Sequence, residues 1–405
     1  MTNLQELRRE LHAGPEVGLQ LPATQAILLR ELDGLGLTVH VGAGLSSVIA
    51  VLSGTGSISN GPRPTVLIRS DMDALPVTET TGLSFAAPGD TMHACGHDLH
   101  MAALVGAIRN LVARRDELHG DVVFMFQPGE EAWGGAQLML AEGVLDITGT
   151  PVDAALGMHV LSYDLPLGTF AFRSGPVLSG SNIITVDFHG RGGHGSAPHL
   201  AADPVPAAAQ FVSAVQLALS RGISMFEPVT LTFGILNAGT QHNVIADSAQ
   251  VGGTLRTFSK DAAGQALRII DDVAHGVAAA SGVVADVTIR QDTIPTVSDP
   301  AETAIARSVA ASVLGEARVR SLSQPYSISE DFCWILDRVP GVFVMVGAGG
   351  TQCGNPPANH SPRATFDDSI LDQVAAFETA WAIERLALLH EERSPIRAPD
   401  GHEHG

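Results

Sequence analysis

Lysine is almost absent from this chain. Lys260 is the only one among 405 residues, and the 23 basic side chains, nearly all arginine, face 43 acidic ones. The resulting net charge of −20 argues against nucleic acid or an anionic membrane surface as partner. Cysteine is equally scarce. Three residues, Cys95, Cys333 and Cys353, cannot build a disulfide framework. No apolar run approaches the roughly 18–20 residues of a membrane span. The first six residues have no basic stretch followed by an apolar one, so no signal peptide is expected and a reducing cytoplasm is the expected location. Aromatics make up only 5% of a chain that is 45% hydrophobic. An anionic substrate would have to be met by a local positive patch of metals and arginine.

The length predicts more than one core. Over the first 175 residues, short apolar runs at 47–52, 65–70, 122–127 and 154–159 read as buried strands. They alternate with helical patterns at 4–11, 23–35, 99–115 and 135–142. Such alternation predicts a mostly parallel sheet flanked by helices, with ligands bound beyond the carboxyl ends of its strands. From about 180 the order changes to strand, helix, strand, strand, helix, strand, at 181–189, 203–220, 229–236, 250–258, 261–281 and 283–290. That is the order of a ferredoxin-like α+β unit. The first pattern then resumes with a helix at 301–314, a strand at 342–346 and a helix at 367–390. The expected architecture is α/β, with residues 1–179 and 292–390 forming a discontinuous catalytic domain around an inserted domain at 180–291. The polar segment 391–405, with His402 and His404, reads as a disordered tail.

The chemistry concentrates at strand ends. His93-Ala94-Cys95-Gly96-His97-Asp98-Leu99-His100 places three imidazoles, a thiol and a carboxylate in eight residues. Thiolate and neutral imidazole are good ligands for zinc and its neighbours, and Cys95 and His97 are the first candidates. His93 and His100 read as structural. Asp98 could orient a ligand imidazole or cap the following helix. Glu130 and Glu131 follow an apolar strand; two adjacent carboxylates are costly unless cations neutralise them. One would ligate and the other hold a water, with Glu130 taken as general base and Glu131 as ligand, an order the sequence alone does not fix. Asp71 and Asp73 end another strand and could support a ligand imidazole. His159 and His360 are further ligand candidates. In the inserted segment, the glycine-rich loop 190–199 holds His194 and lacks the Lys-Ser/Thr pair of a phosphate loop. Asn243 and Arg256 are candidate carboxylate binders. Cys333 reads as a packing residue and Cys353 as a loop thiol.

These segments together resemble one family. Arg8-Arg9-Glu10-Leu11-His12, Asp71-Met72-Asp73-Ala74-Leu75-Pro76, Met92-His93-Ala94-Cys95-Gly96-His97-Asp98 and Gln127-Pro128-Gly129-Glu130-Glu131 carry the resemblance. So do Gly192-Gly193-His194, Asn243-Val244-Ile245, Gly253-Thr254-Leu255-Arg256, Ser329-Glu330-Asp331-Phe332 and His360-Ser361-Pro362. The chain is similar to the two-metal aminoacylase/carboxypeptidase-like amidohydrolases, in the branch of hippurate hydrolase, indole-acetyl-amino-acid hydrolases and N-acyl amino acid aminoacylases.

The resemblance implies two divalent metals per subunit, zinc first, with manganese, cobalt and nickel also suited to the donor set. Their ligands would be Cys95, His97, Glu131, His159 and His360. Glu130 would be the base that takes a proton from a metal-bridging water, and Asp73 would support a ligand histidine. His194 would stabilise the oxyanion, commonly in the neighbouring subunit's site. Asn243 and Arg256 would hold the substrate carboxylate. The inserted domain would be a lid and dimerisation surface in a homodimer or higher oligomer. The long segment 347–359 before His360, with Cys353, would shape a pocket peculiar to this member. The expected reaction is hydrolysis of N-acyl amino acids to a carboxylic acid and a free amino acid. The alternative is a dipeptidase or carboxypeptidase using the same centre, and N-carbamoyl hydrolysis a third option.

Overall fold

A computed structural model describes residues 2–57, 62–349 and 356–393. The expectations for Cys353, His402 and His404 fall outside these residues. The chain divides into two compact units. One holds the residues up to 175 together with 298–323 and those from 335 onward; the other holds 176–297 and 324–334.

The first unit is built on an eight-stranded sheet. Its spatial order is Thr38–Val41, Val48–Ser53, Asp121–Gln127, Thr65–Asp71, Ala154–Leu161, Gly341–Gly347, Phe170–Phe172 and Val319–Ser321. The four central strands run parallel, with antiparallel neighbours on either side. Every residue of those four strands is buried, which explains their unbroken apolar runs: a sheet covered by helices on both faces has no solvent side to alternate with. The strand Val48–Ser53 departs from the parallel pattern, pairing antiparallel with Asp121–Gln127. Three strands, Thr38–Val41, Phe170–Phe172 and Val319–Ser321, were too short or too exposed to show in the sequence pattern.

The helix His97–Ala113 is buried along most of its length and packs against Leu371–Arg393. It is apolar nearly all round, as an interior helix must be. Its entry depends on Gly96, which sits at φ 88° as N-cap. A Cβ there would lie 2.5 Å from Val160 Cγ2, so only glycine both adopts the left-handed turn and lets the loop approach the neighbouring strand. The final helix runs to Arg393, taking in 391–393 of the expected tail.

The second unit carries a four-stranded antiparallel sheet in the order Val229–Ala238, Ser248–Thr257, Gly180–His189, Val284–Thr293. Numbered along the chain, that is 2-3-1-4, the ferredoxin-like arrangement. Helices Pro204–Gly222 and Lys260–Ser281 pack on it and on each other. Ile184, Val186, Phe188, Phe211, Leu255 and Ile270 lie in its separate core. The segment 324–334 is tied to this unit: Tyr326 N–H donates to Val177 C=O at 2.9 Å, and Ser179 N–H to Ile328 C=O at 2.9 Å. Among the described residues no helix is long and apolar enough to cross a membrane.

One core residue opposes the fold at neutral pH. Glu378, on the last helix, is 1% exposed, and its Oε2 has no hydrogen-bond partner. Burial pushes its carboxyl well above the ordinary range. A raised folded-state value means that the stability is complete below the ordinary carboxyl value of about 4.3 and is lost as pH rises toward the folded value. Glu378→Gln is therefore expected to raise Tm at pH 8, with the gain shrinking toward zero as the pH falls to about 4.3. A gain independent of pH, measured by calorimetry, would contradict this assignment.

Candidate metal centre

The strand Ala154–Leu161, the turn after Asp121–Gln127 and the loop of His360 meet around Cys95. The sulfur lies 3.3 Å from His159 Nε2 and 3.2 Å from His360 Nε2, and His360 Nε2 is 3.1 Å from Glu131 Oε1. His159 lies inside its strand, which continues to Leu161. His360 adopts φ 69°, a left-handed conformation that costs a non-glycine residue about 1–2 kcal/mol. Its N–H is held by Ala94 C=O at 2.9 Å. Backbone strain of this kind is sustained where a side chain must be aimed.

The imidazoles are oriented by acceptors that fix their tautomers. His97 Nδ1 donates to Asp73 C=O at 2.8 Å, and His159 Nδ1 donates to Val160 C=O at 2.8 Å. A carbonyl can only accept, so in the neutral ring each Nε2 presents a lone pair. His97 Nε2 is buried and makes no hydrogen bond, although Asp71 Oδ2 stands 3.4 Å away. Asp73 does more than orient His97. Its Oδ1 accepts from Glu130 N–H and its Oδ2 from Glu131 N–H, each at 3.0 Å. One carboxylate thus aligns the turn that carries both glutamates.

Possible ligand atoms form overlapping triads, each within 4.8 Å: Cys95 with His97 and His159, Cys95 with Glu131 and His360, and His97 with Glu130 and Glu131. The first two share the Cys95 sulfur. A fourth, Asp71 with His97 and His100, is committed elsewhere. His100 Nδ1 donates to Asp71 at 2.6 Å and its Nε2 accepts from Val160 N–H at 3.0 Å; Asp71 also receives Arg69 at 2.7 Å. His100 therefore supports the strand beside His159, and burial keeps it neutral.

The members of this cluster set one another's charge. Burial pushes the Cys95 thiol up, but His159, His360 and His97 pull it well below its usual value. Burial opposes charge on His97 and His159, yet Asp71 and Cys95 hold both above the ordinary range. Hydrogen bonds to Cys95 and then Glu131 raise His360 to about 10. Burial and the adjacent thiolate push Glu131 up. Thiolate, imidazole and carboxylate donors converge on one buried point with an orphaned imidazole nitrogen, a set that fits divalent transition metals.

Asp98 takes neither role expected of it. It lies 2.7 Å from Arg8 Nε and accepts from His12 at 2.9 Å. It thereby pins the first turn of the helix after His97 to the N-terminal helix Leu4–Ala13. His93 is buried and pushed down to about 3 by burial, so it stays neutral. Asn359 was not singled out by sequence reasoning. Its Nδ2 donates to Val160 C=O at 2.9 Å and Cys95 C=O at 3.3 Å, and its Oδ1 accepts from Ser162 N–H at 2.9 Å. Its only sequence signal was adjacency to His360.

The remaining candidates lie in the second unit. His194 is exposed and pairs across a short ladder with Val244. Ser196 N–H donates to its Nδ1 at 3.1 Å, leaving Nε2 to carry the proton as a donor. Gly195 N–H donates to Asn243 C=O at 2.8 Å, so His194 and Asn243 are brought together. Arg256 sits on Ser248–Thr257 at the opposite end from the His194 loop, which is tied to Asp247. Eight residues at about 3.3 Å each put roughly 26 Å between the two strand positions. Arg256 Nη1 is buried without a hydrogen-bond partner, and burial lowers the affinity of the guanidinium for its proton.

The family model for peptidase family M20/M25/M40 matches residues 67–382. The chain belongs to that family. It is accordingly a hydrolase of amide bonds and a metal-dependent amidohydrolase. It is 36% identical to the N-acetylcysteine deacetylase of Bacillus subtilis (strain 168) over 384 residues, covering 94% of this chain and 96% of that protein. It is 32% identical to thermostable carboxypeptidase 2 of Saccharolobus solfataricus, over 94% of each. Among solved structures it matches the YXEP protein of Bacillus subtilis, described as a dinuclear metal binding peptidase from the M20 family. That match has a TM-score of 0.80 and 32% identity, covering 95% of this chain and 98% of the other.

Because Asn359 ties Cys95 to the strand bearing His159, Asn359→Ala should weaken metal binding about 10–100-fold, the usual cost of removing a supporting hydrogen bond. Competition with a chromophoric chelator reads this directly; unchanged affinity would show that the ligand loops hold themselves.

Proposed function

We propose that this enzyme hydrolyses N-acyl amino acids at a two-metal centre held by Cys95, His97, Glu131, His159 and His360. The carrying observation is the pair of triads that share the Cys95 sulfur while Asp73 aligns Glu130 beside Glu131. Zinc suits this set first, with manganese, cobalt and nickel also compatible. Such metals supply Lewis-acid polarisation and a water acidic enough to deprotonate near neutral pH.

The protein supplies the rest. Glu130 takes the proton of the attacking water and delivers it to the leaving amine. Asp73 keeps Glu130 in place through its backbone N–H. His194, with hydrogen on Nε2, donates to the tetrahedral oxyanion; a donor of this kind is worth about 2.7–4 kcal/mol in other hydrolases. Arg256 and Asn243 bind the free carboxylate of the amino acid product. The unpartnered Nη1 of the half-buried Arg256 supports this reading, since it leaves a guanidinium donor free to meet a carboxylate.

His194 with Asn243, and Arg256, lie at opposite ends of one strand. This separation favours their serving two different sites, which supports a homodimer in which His194 and Asn243 both act in the partner's site, so that Asn243 of one chain and Arg256 of the other hold one carboxylate. The ferredoxin-like unit would then be the dimerisation surface and lid, and the reaction would take place in the cytoplasm. The second reading, a dipeptidase or carboxypeptidase, draws on the carboxypeptidase of Saccharolobus solfataricus among the relatives. It would be favoured if dipeptides are cleaved and N-acyl amino acids are not.

Glu130→Ala is expected to retain metal and lose nearly all turnover, and His194→Ala to lose most of it. Mixing the two inactive variants under conditions that exchange subunits should restore activity. One site in each mixed dimer then combines an intact Glu130 with an intact His194 from the other chain. Failure of exchanged mixtures to regain activity would place His194 in its own subunit's site or outside the reaction.

A further inference from the structure

Trp133 lies three residues beyond Glu130 and has no place in the mechanism above. It is 55% exposed, although Trp381 is buried and Trp334 partly so. Leaving so large an apolar surface in water is costly. The ring is nevertheless held in a built position. Gly135 N–H donates to Gly129 C=O at 3.0 Å, closing residues 129–135 into a tight loop. Within it Ala132 adopts φ 68°, a left-handed conformation that a non-glycine residue keeps only under constraint.

One side of the indole rests on backbone. A Cβ on Gly18 would lie 3.2 Å from Trp133 Cε2 and 3.4 Å from Cδ2. Gly18, at φ 87°, is glycine both for its turn and for the room it leaves the ring. The segment beneath is anchored to the metal centre, since Ala74 N–H donates to Glu16 C=O at 2.8 Å and Val17 bridges to Ala74. Asp73, the neighbour of Ala74, holds the Glu130–Glu131 turn. The indole is therefore held between the Gly18 turn and the loop that carries Glu130 and Glu131, with surface left open.

We propose that the open surface of Trp133 is the platform for the substrate's acyl group and selects flat, apolar acyl groups of benzoyl size over acetyl. The proposal deepens the amidohydrolase reading and rests on it. An aromatic ring offers a planar acyl group offset or edge-on stacking together with apolar burial. Acetyl, with one methyl, gains little from either. Trp133 thus determines specificity without taking part in the chemistry.

The test compares kcat/KM for N-benzoyl and N-acetyl derivatives of one amino acid in the wild type, Trp133→Ala and Trp133→Phe. The benzoyl-to-acetyl ratio is expected to fall about tenfold, or about 1.4 kcal/mol, in Trp133→Ala and to recover most of the way in Trp133→Phe. In the Glu130→Ala enzyme, which should bind without turnover, N-benzoylglycine should shield tryptophan fluorescence from acrylamide and N-acetylglycine should not. Should Trp133→Ala fail to fold, Trp133→Phe and the shielding measurement decide. An unchanged ratio, or equal acrylamide access with both ligands, overturns the platform while leaving amide hydrolysis standing. A wild type that cleaves neither substrate overturns the hydrolysis of N-acyl amino acids, and shielding alone then judges the platform.

Discussion

Asp73 accepts hydrogen bonds from the N–H groups of Glu130 and Glu131, each at 3.0 Å, while its own C=O receives His97 Nδ1–H at 2.8 Å. One residue therefore sets the position of two glutamates and the tautomer of a histidine, and with Asp73 itself these join three separate segments of chain. The parallel sheet makes this possible. The strands Thr65–Asp71 and Asp121–Gln127 are in register from end to end, with Asp71 opposite Gln127, so the residues just beyond them emerge side by side. Without that register the carboxylate of Asp73 could not reach both amides of the next turn.

The same compactness creates an electrostatic problem. Asp71, Cys95 and Glu131 share a largely buried space with His97, His100 and His159. Arg69 pairs with Asp71, which lies well below the usual carboxylate range: burial opposes its charge, and His97, His100 and Arg69 outweigh that. His159 and His360 converge on the Cys95 sulfur, and His360 also meets Glu131. Metal binding requires deprotonated ligands and so exchanges protons for cations. His360, which Cys95 and Glu131 raise to about 10, would give up its proton on ligating a metal.

Much of this was legible in the sequence because the chemistry follows strand ends. The apolar runs before Asp71, Glu130 and His159 located the sheet, and the strand-helix order after residue 180 gave the ferredoxin-like arrangement. Short edge strands escaped because three or four residues carry no periodicity. The supporting contacts escaped for a different reason. Asn359 reaches Cys95 and Val160 across 264 and 199 residues, and Asp98 meets His12 across 86. Nothing local distinguishes an asparagine that binds three segments from one in a solvated loop. Asp98 looked like a helix cap because it sits in a first turn; the buried Arg8 and His12 outcompete the helix N–H groups for it. Trp133 was likewise silent in sequence, since only the glycine beneath its ring shows that it is held.

Metals bound by this constellation would make the chain an N-acyl amino acid hydrolase. The most direct measurement is release of free amino acid from N-acetyl, N-benzoyl, long-chain acyl and indole-acetyl substrates and from matching dipeptides, as metal is titrated into chelated enzyme. No release is expected before metal is added, and release from N-acyl substrates should rise until two equivalents per chain are bound. Release confined to dipeptides, or full metal occupancy with no amide cleaved, would contradict this reading.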